Sequence, residues 1–461
     1  MVAFAPVPVI SSRPLGSGEW LWWHMSRARS VNFVTCARLN GRVSVASIQQ
    51  ALLYVQHRYP ILRSRIIQQG YQRPRIEVLS SVAIPLRVLP WQTDDYWSSV
   101  VEQELSDGIP HDASPLWRVT LIHADDRTDL LLTFHHGISD GLSSIQILED
   151  ILSHHAGLRP AEPEQAILPP AYDHLLPQFS LWQTLKYYTP AIRGLLNSAP
   201  AAQLPSANTT TLAPSQASAS HSDAAPAHTQ LRTFTLDEAR SAQLIRRCKE
   251  AQHSVNDLLS GALLRSAAPV LAPIGTQSVS MTSALNVRPL LDPSYHNVVG
   301  YYSSGIESRF LLSQDSDVWQ LGQQATALAK AQFSPMNVRF GLWLRQVLVR
   351  LKPDPNALFA MLAKGSKASV HLSNMGRVNI PTQYGALELQ SVLPIAGVHY
   401  AQKPLFCLVS VSFAQRLTVV ASFCQPMTGT DTADQLFQRF CDQLLYWSRS
   451  NTRPEITKPL I

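Results

Sequence analysis

The sequence predicts an α+β protein of two domains, and three observations lead there. Apolar runs of strand length and amphipathic helical stretches are mixed along the chain without regular βαβ alternation. With 461 residues the chain is long enough for two ordinary cores. Between them, from Ser198 to about Gln230, it is built of Ala, Ser, Thr, Pro and Gln with almost no large apolar residue. Such a segment cannot bury a core and reads as a flexible crossover. We therefore expect a first domain over residues 1–185, a crossover over 186–229 with low complexity from 198, and a second domain over 230–461. No repeat is visible, so any two-fold relation between the halves is structural only.

In the first half, Ile48, Ala51, Leu52 and Val55 mark a helix over Val45–His57 that Pro60 ends. Trp117–His123 alternates, the polar stretch Ala124–Thr128 turns, and Asp129–His135 returns, which predicts an antiparallel hairpin. Leu142, Ile145, Leu148, Ile151 and Leu152 then recur at helical spacing, and His154-His155 reads as the end of that helix. In the second half, Thr235-Leu-Asp-Glu238 has the spacing of a capping box that opens a helix. A further helix is expected over Val255–Ala268, with strands at Val279–Val287, Val298–Phe310, Ala368–Ser373, Leu405–Phe413 and Leu417–Phe423. Leu436, Phe437, Phe440, Leu444 and Leu445 share a face of a closing amphipathic helix.

The hydrophobic fraction of 45% describes a globular chain, and a charged fraction of only 15% argues against a disordered or nucleic-acid-coating protein. Five scattered cysteines without CxxC spacing suggest a reducing compartment and no zinc site. The first residues lack a basic region followed by an apolar core, and no apolar stretch approaches bilayer length, so a cytoplasmic protein is expected. Gly-x-Ser-x-Gly, a phosphate-binding glycine loop and a dinucleotide fingerprint do not occur.

Chemistry concentrates in His135-His136-Gly137-Ile138-Ser139-Asp140-Gly141, at the junction of the hairpin and the following helix. A histidine at a strand end is held by the sheet behind it and faces a cleft in front, where it can take up and return a proton. Three readings compete. A structural loop with incidental histidines is one. A metal site is disfavoured, because adjacent strand residues point to opposite faces and one Asp leaves the ligand set incomplete. A single catalytic base with a structural Asp fits best, with Gly141 permitting a sharp backbone turn.

The string His-His-x-x-x-Asp-Gly resembles the signature of the superfamily that includes chloramphenicol acetyltransferase, peptide-synthetase condensation domains, plant BAHD acyltransferases and polyketide-associated acyltransferases. Arg38-Leu-Asn-Gly41, His57-Arg-Tyr-Pro-Ile-Leu-Arg63-Ser-Arg65 and Pro115-Leu-Trp-Arg118 are similar to family segments as well. So are Asn286-Val-Arg288-Pro289 with Gly300-Tyr301, and Ser373-Asn374-Met-Gly376-Arg377. The resemblance implies two chloramphenicol-acetyltransferase-like domains, a pseudo-dimer with an active-site tunnel between them. It implies His136 as general base, with His135, Asp140, Gly141 and Arg288 structural around it, Asp140 pairing with Arg288. Ser373, Asn374 and Gly376 would lie near the donor channel.

The implied activity is O-acyl transfer from a thioester to an acceptor hydroxyl. A condensation-type enzyme forming amides from an amine acceptor is an alternative, and a non-catalytic carrier-protein-docking relative another. The donor would be acyl-coenzyme A or the phosphopantetheine thioester of an acidic carrier protein. The net charge of +6 is compatible with either anion. A thioester is already activated, so neither a metal nor a bound cofactor is required, and no nucleic-acid partner is expected. The Asp-Phe-Gly-Trp-Gly segment of plant BAHD enzymes is absent, and no adenylation or carrier segment adjoins, which leads us to expect a free-standing enzyme. Trp20, Trp22 and Trp23, and the stretch Phe179–Tyr188, could meet a membrane, but packing in a groove is the better expectation. The same reading holds for the basic amphipathic stretch Arg339–Arg345.

Overall fold

The computed structural model describes residues 8–70, 72–164, 166–197, 227–365, 369–398 and 404–449. Most of the expected crossover, from residue 198 to 226, lies outside them.

The first half runs β1 (Val9–Pro14), α1 (Ser17–Ser26), β2 (Asn32–Asn40), α2 (Val45–Arg58), β3 (Ser64–Ile67), β4 (Arg75–Leu79), β5 (Leu86–Pro90), α3 (Tyr96–Ser106), β6 (Trp117–His123), β7 (Arg127–His135) and α4 (Gly141–His155). The hairpin is present, with Trp117 opposite Phe134 and His123 opposite Thr128. From Thr128 onward β7 is buried on both faces, which is why its sequence is a continuous apolar run and not an alternation. It therefore sits inside its sheet, between β2 and β6. β1, β3 and β4 form a small separate sheet.

A short helix α5 (Tyr172–Leu175) and α6 (Leu181–Asn197) follow. The second half is β8 (His228–Leu236), α7 (Glu238–Glu250), α8 (Val255–Leu271), β9 (Gln277–Asn286), β10 (Ser303–Leu312), α9 (Val318–Gln332), α10 (Pro335–Leu351), α11 (Pro355–Gly365), β11 (Ser369–Arg377), β12 (Gln383–Tyr384), β13 (Leu387–Ala396), β14 (Pro404–Phe413), β15 (Arg416–Gln425) and α12 (Thr430–Trp447). Its six-stranded sheet has the order β10-β9-β11-β14-β15-β8. The other six-stranded sheet has the order β12-β13-β2-β7-β6-β5. β12 and β13 thus come from the second half and extend the sheet of the first, Leu393 opposite Cys36. The linear division of the chain does not anticipate this exchange.

Two local expectations are corrected. Thr235 is not a cap: β8 continues through it, its hydroxyl bonds that of Thr418 in the sheet, and Asp237 caps α7 by accepting from the Arg240 amide at 2.8 Å. The strand expected from Val298 starts only at Ser303. Before it the chain makes two 3-10 turns, Arg288–Leu290 and Pro293–Tyr295, and the Tyr302 amide donates to a carboxylate of the first half instead of to a neighbouring strand. The helices α8 and α9 cross very closely. A Cβ on Gly261 would lie 1.9 Å from the carbonyl oxygen of Val318, so only glycine fits there.

Candidate active site

Strand β7 ends at His135, and the next five residues form the turn into α4. His135 is fully buried, and its Nδ1 accepts from the Gly137 amide at 3.0 Å. Burial pushes its pKa down to about 3, so the ring is neutral and serves the turn.

His136 points the other way, into a cavity. Its Nδ1 lies 3.2 Å from the Ser139 carbonyl oxygen. A carbonyl can only accept, so Nδ1 carries the proton and Nε2 keeps its lone pair. Burial lowers the His136 pKa, partly opposed by the Ser139 carbonyl and by Asp140, so the imidazole is uncharged and basic at neutral pH. Its plane is held by Trp22, stacked at 4.4 Å and 14°, and by the edge of Tyr301 at 5.7 Å and 89°.

Asp140 does not contact the imidazole through any hydrogen bond among the described residues. Its Oδ1 caps α4 by accepting from the Ser143 amide at 2.9 Å. Its Oδ2 accepts from Arg288 Nη1 and from the Tyr302 amide, both at 2.8 Å. Arg288 also donates to the Ser143 hydroxyl at 2.7 Å and to the Val298 carbonyl at 3.0 Å. The Ser143 hydroxyl in turn donates to the Gly300 carbonyl at 2.8 Å. Each side chain of the ion pair is only 5% exposed. This network ties the start of α4 to the segment 286–302 of the second half.

Gly141 differs from expectation. It is the first residue of α4 and needs no left-handed backbone; its value is space, since a Cβ there would lie 2.7 Å from Met375 Cε. Gly18 does the same for Tyr301, whose ring would be 2.6 Å from an added Cβ.

The cavity has a volume of about 470 Å³. Leu21, Trp22, Phe33 and His136 line it from the first half, and Tyr301, Arg345, Ser373 and Asn374 from the second. Ser373 and Asn374 thus share the cavity with His136. Gly376 is not part of the lining; with φ +68° it turns the end of β11, and its amide donates to Asn374 Oδ1 at 3.0 Å. Asn374 also donates to Asn256 Oδ1 at 3.1 Å and accepts from the Ser410 hydroxyl at 2.9 Å, which fixes its amide.

Trp20 and Trp23 are buried, while Trp22 forms one wall of the cavity. Tyr188 packs on Phe340 and Trp343, whereas Leu181 and Trp182 are exposed. No helix among the described residues is long and apolar enough to cross a membrane. The stretch Arg339–Arg345 lies on α10. Arg339 donates to the Leu176 and Pro177 carbonyls at 3.0 and 3.2 Å, and Arg345, six residues further along α10, lines the cavity. Sequence reasoning missed Trp22 and Arg345 as site residues, since neither stands near a motif.

The condensation-domain profile matches residues 18–302, more than half of the chain. The profile of the C-terminal part of phthiocerol/phthiodiolone dimycocerosyl transferase matches residues 225–429. Among curated proteins, the chain is similar to chondramide synthase of Chondromyces crocatus, 32% identical over 145 residues that make up 30% of this chain and 4% of that protein. A polyketide synthase of Bacillus subtilis is 28% identical over 155 residues, 29% of this chain and 3% of that one. The chain therefore spans only a few per cent of the length of these relatives.

Solved structures match almost end to end. Trichothecene 15-O-acetyltransferase of Fusarium sporotrichioides has a TM-score of 0.70 at 12% identity over 95% of both chains. The first condensation domain of the calcium-dependent antibiotic synthetase has a TM-score of 0.68 at 14% identity, over 96% of this chain and 97% of that one. Polyketide synthase associated protein 5 of Mycobacterium tuberculosis has a TM-score of 0.61 at 13% identity, over 96% and 100%. The fold is thus the pair of chloramphenicol-acetyltransferase-like halves that the signature implied, with its two large sheets joined by strand exchange.

Proposed function

We infer that this chain, which belongs to the condensation-domain family of acyl-transferring proteins, moves an acyl group from a thioester to an acceptor hydroxyl. The observation that carries the reading is His136: an uncharged imidazole, its tautomer set by the Ser139 carbonyl, with its basic nitrogen free in a cavity between the halves. Nε2 takes the hydroxyl proton as the oxygen attacks the thioester carbonyl, forming the new C–O bond. The tetrahedral intermediate carries an oxyanion that needs hydrogen-bond donors. Ser373 and the second amide hydrogen of Asn374 are our candidates, both on the cavity wall. Collapse breaks the C–S bond, and the imidazolium returns its proton to the leaving thiolate. Asp140 and Arg288 hold the turn that aims His136.

The donor is the thioester of coenzyme A or of a carrier protein; the relatives from peptide and polyketide synthases support the carrier. The O-acetyltransferase likeness and the acyltransferase profile over residues 225–429 favour a hydroxyl over an amine acceptor. Amide formation is the second reading, favoured by the condensation-domain match. A carrier-docking protein without turnover is opposed by the intact His136 and its scaffold. The test is to incubate the protein with acyl-coenzyme A or an acylated carrier and a pool of alcohols and amines, and to analyse products by mass spectrometry. Ester is expected; amide would favour the second reading, and neither product with any donor would refute catalysis.

A further inference from the structure

Arg345 is a permanent cation without a counter-ion among the described residues. Its guanidinium lines the cavity that holds His136. It lies against the hydroxyls of Tyr172 and Tyr301, which accept hydrogen bonds but carry no charge. No carboxylate pairs with it among the described residues. The buried carboxylates of this region have cations of their own. Glu19 forms a two-pronged pair with Arg13, both contacts at 2.7 Å. Asp140 is matched to Arg288 at 2.8 Å, and Asp173 faces Arg73 at 3.5 Å. His136 is uncharged at neutral pH, so the cavity carries the unbalanced charge of one guanidinium.

Arg345 is half-buried in the wall, and a partly desolvated cation with no anion beside it is a natural partner for the anion of a ligand. Guanidinium presents parallel N–H groups that match a carboxylate bidentately. Leu21, Trp22 and Phe33 form an apolar, aromatic stretch of the wall, beside polar groups that include the Asp140–Arg288 pair, Ser373 and Asn374. A single tyrosine ring, that of Tyr301, separates the guanidinium from the His136 imidazole.

We propose that the acceptor is a hydroxy acid: its hydroxyl meets His136, its carboxylate pairs with Arg345, and an apolar body fills the aromatic wall between them. The proposal rests on the acyl-transfer reading and names the substrate class of that site. A transient oxyanion is the competing partner for Arg345. It would neutralise the cation only during reaction and leave it stranded in the resting complex, whereas a carboxylate compensates it from binding onward.

The probes are phenyllactate, mandelate and hydroxydecanoate, each compared with its methyl ester by titration calorimetry, which needs no turnover. The wild-type protein should bind at least one acid more tightly than its ester by tenfold or more. Arg345→Met should bring that ratio to about one, and Arg345→Gln, which keeps a donor for the two tyrosine hydroxyls, should do the same if the Met variant folds poorly. If no acid of the series outbinds its ester, or if the preference survives both substitutions, the proposal is overturned. Unchanged acid affinity together with a selective drop of kcat in the Arg345 variants would assign the cation to the oxyanion and likewise overturn it. Acid-selective binding with no ester formed from any thioester would leave the anion subsite standing and sink the acyl-transfer reading instead.

Discussion

Removing Asp140 tests the tie between the halves most directly. Asp140→Ala strands Arg288, which is left with the neutral acceptors Asn286 Oδ1, Val298 O and Ser143 Oγ. It also removes the cap of α4 and the acceptor of the Tyr302 amide. Breaking a buried pair by deleting one partner costs about 3–5 kcal/mol, and each side chain of this pair is only 5% exposed. Arg288→Ala is the milder change, near ~3 kcal/mol, because Asp140 keeps two backbone amides and Asp140→Ala leaves a cation with no anion. The double variant strands nothing, so the two losses should be sub-additive by about 2–3 kcal/mol. The assay is urea denaturation followed by tryptophan fluorescence for the four proteins, with midpoints and slopes compared. Additivity within about 0.5 kcal/mol would refute the pairing as an energetic unit. An Asp140→Ala protein of full stability but no activity would place Asp140 on His136 or on substrate.

The remaining expectations are shorter. His136→Ala should lower turnover by roughly 10²–10⁴-fold with an unchanged circular dichroism spectrum, while His135→Ala should act mainly by loosening the turn; the opposite ranking would reverse our assignment of the two rings. The rate should be flat from pH 8 through the ordinary imidazole range and fall only below it, because burial depresses the His136 pKa and the neutral form is the base; a kinetic pKa above 7 speaks against this. His135 and His371 are held near 3 and 4 by burial, so between those values and about 6.5 the unfolded chain binds more protons. Their contribution is complete above pH 6.5 and shrinks as pH falls, and a melting temperature constant from pH 7.5 to 4.5 would contradict it. Gly261→Ala drives a Cβ into the Val318 carbonyl at 1.9 Å and should destabilise by about 1–3 kcal/mol or more through overpacking; wild-type stability would show that α8 and α9 can separate freely.

Local signals read well. The hairpin of β6 and β7, the helix after the motif and the C-terminal amphipathic helix stand where the pattern of apolar residues puts them: the two helices each bury one apolar face, and the unbroken apolar run of β7 fits a strand buried on both faces. The cap of α7 lies two residues beyond Thr235, since β8 runs on through the buried Leu236 and Asp237 is as good a cap as Thr235. The start of β10 was misplaced by five, since residues 298–302 are extended in pattern but spend their backbone on Asp140 and Ser143.

By itself the sequence determined the α+β class, the strand-to-helix turn with its two histidines on opposite faces, and the pairing of motif aspartate with a distant arginine that the family signature implied. These follow from short-range periodicity and from residue types that occur at few places in the chain. Only the tertiary structure decided that β13 crosses to the sheet of β2, that Trp22 stacks on His136, and that Gly141 serves Met375 rather than a bend. It alone brought Arg345, one cation of an ordinary-looking amphipathic helix, into the cavity. Such facts depend on which faces meet across some two hundred residues of chain, and no local spacing encodes that.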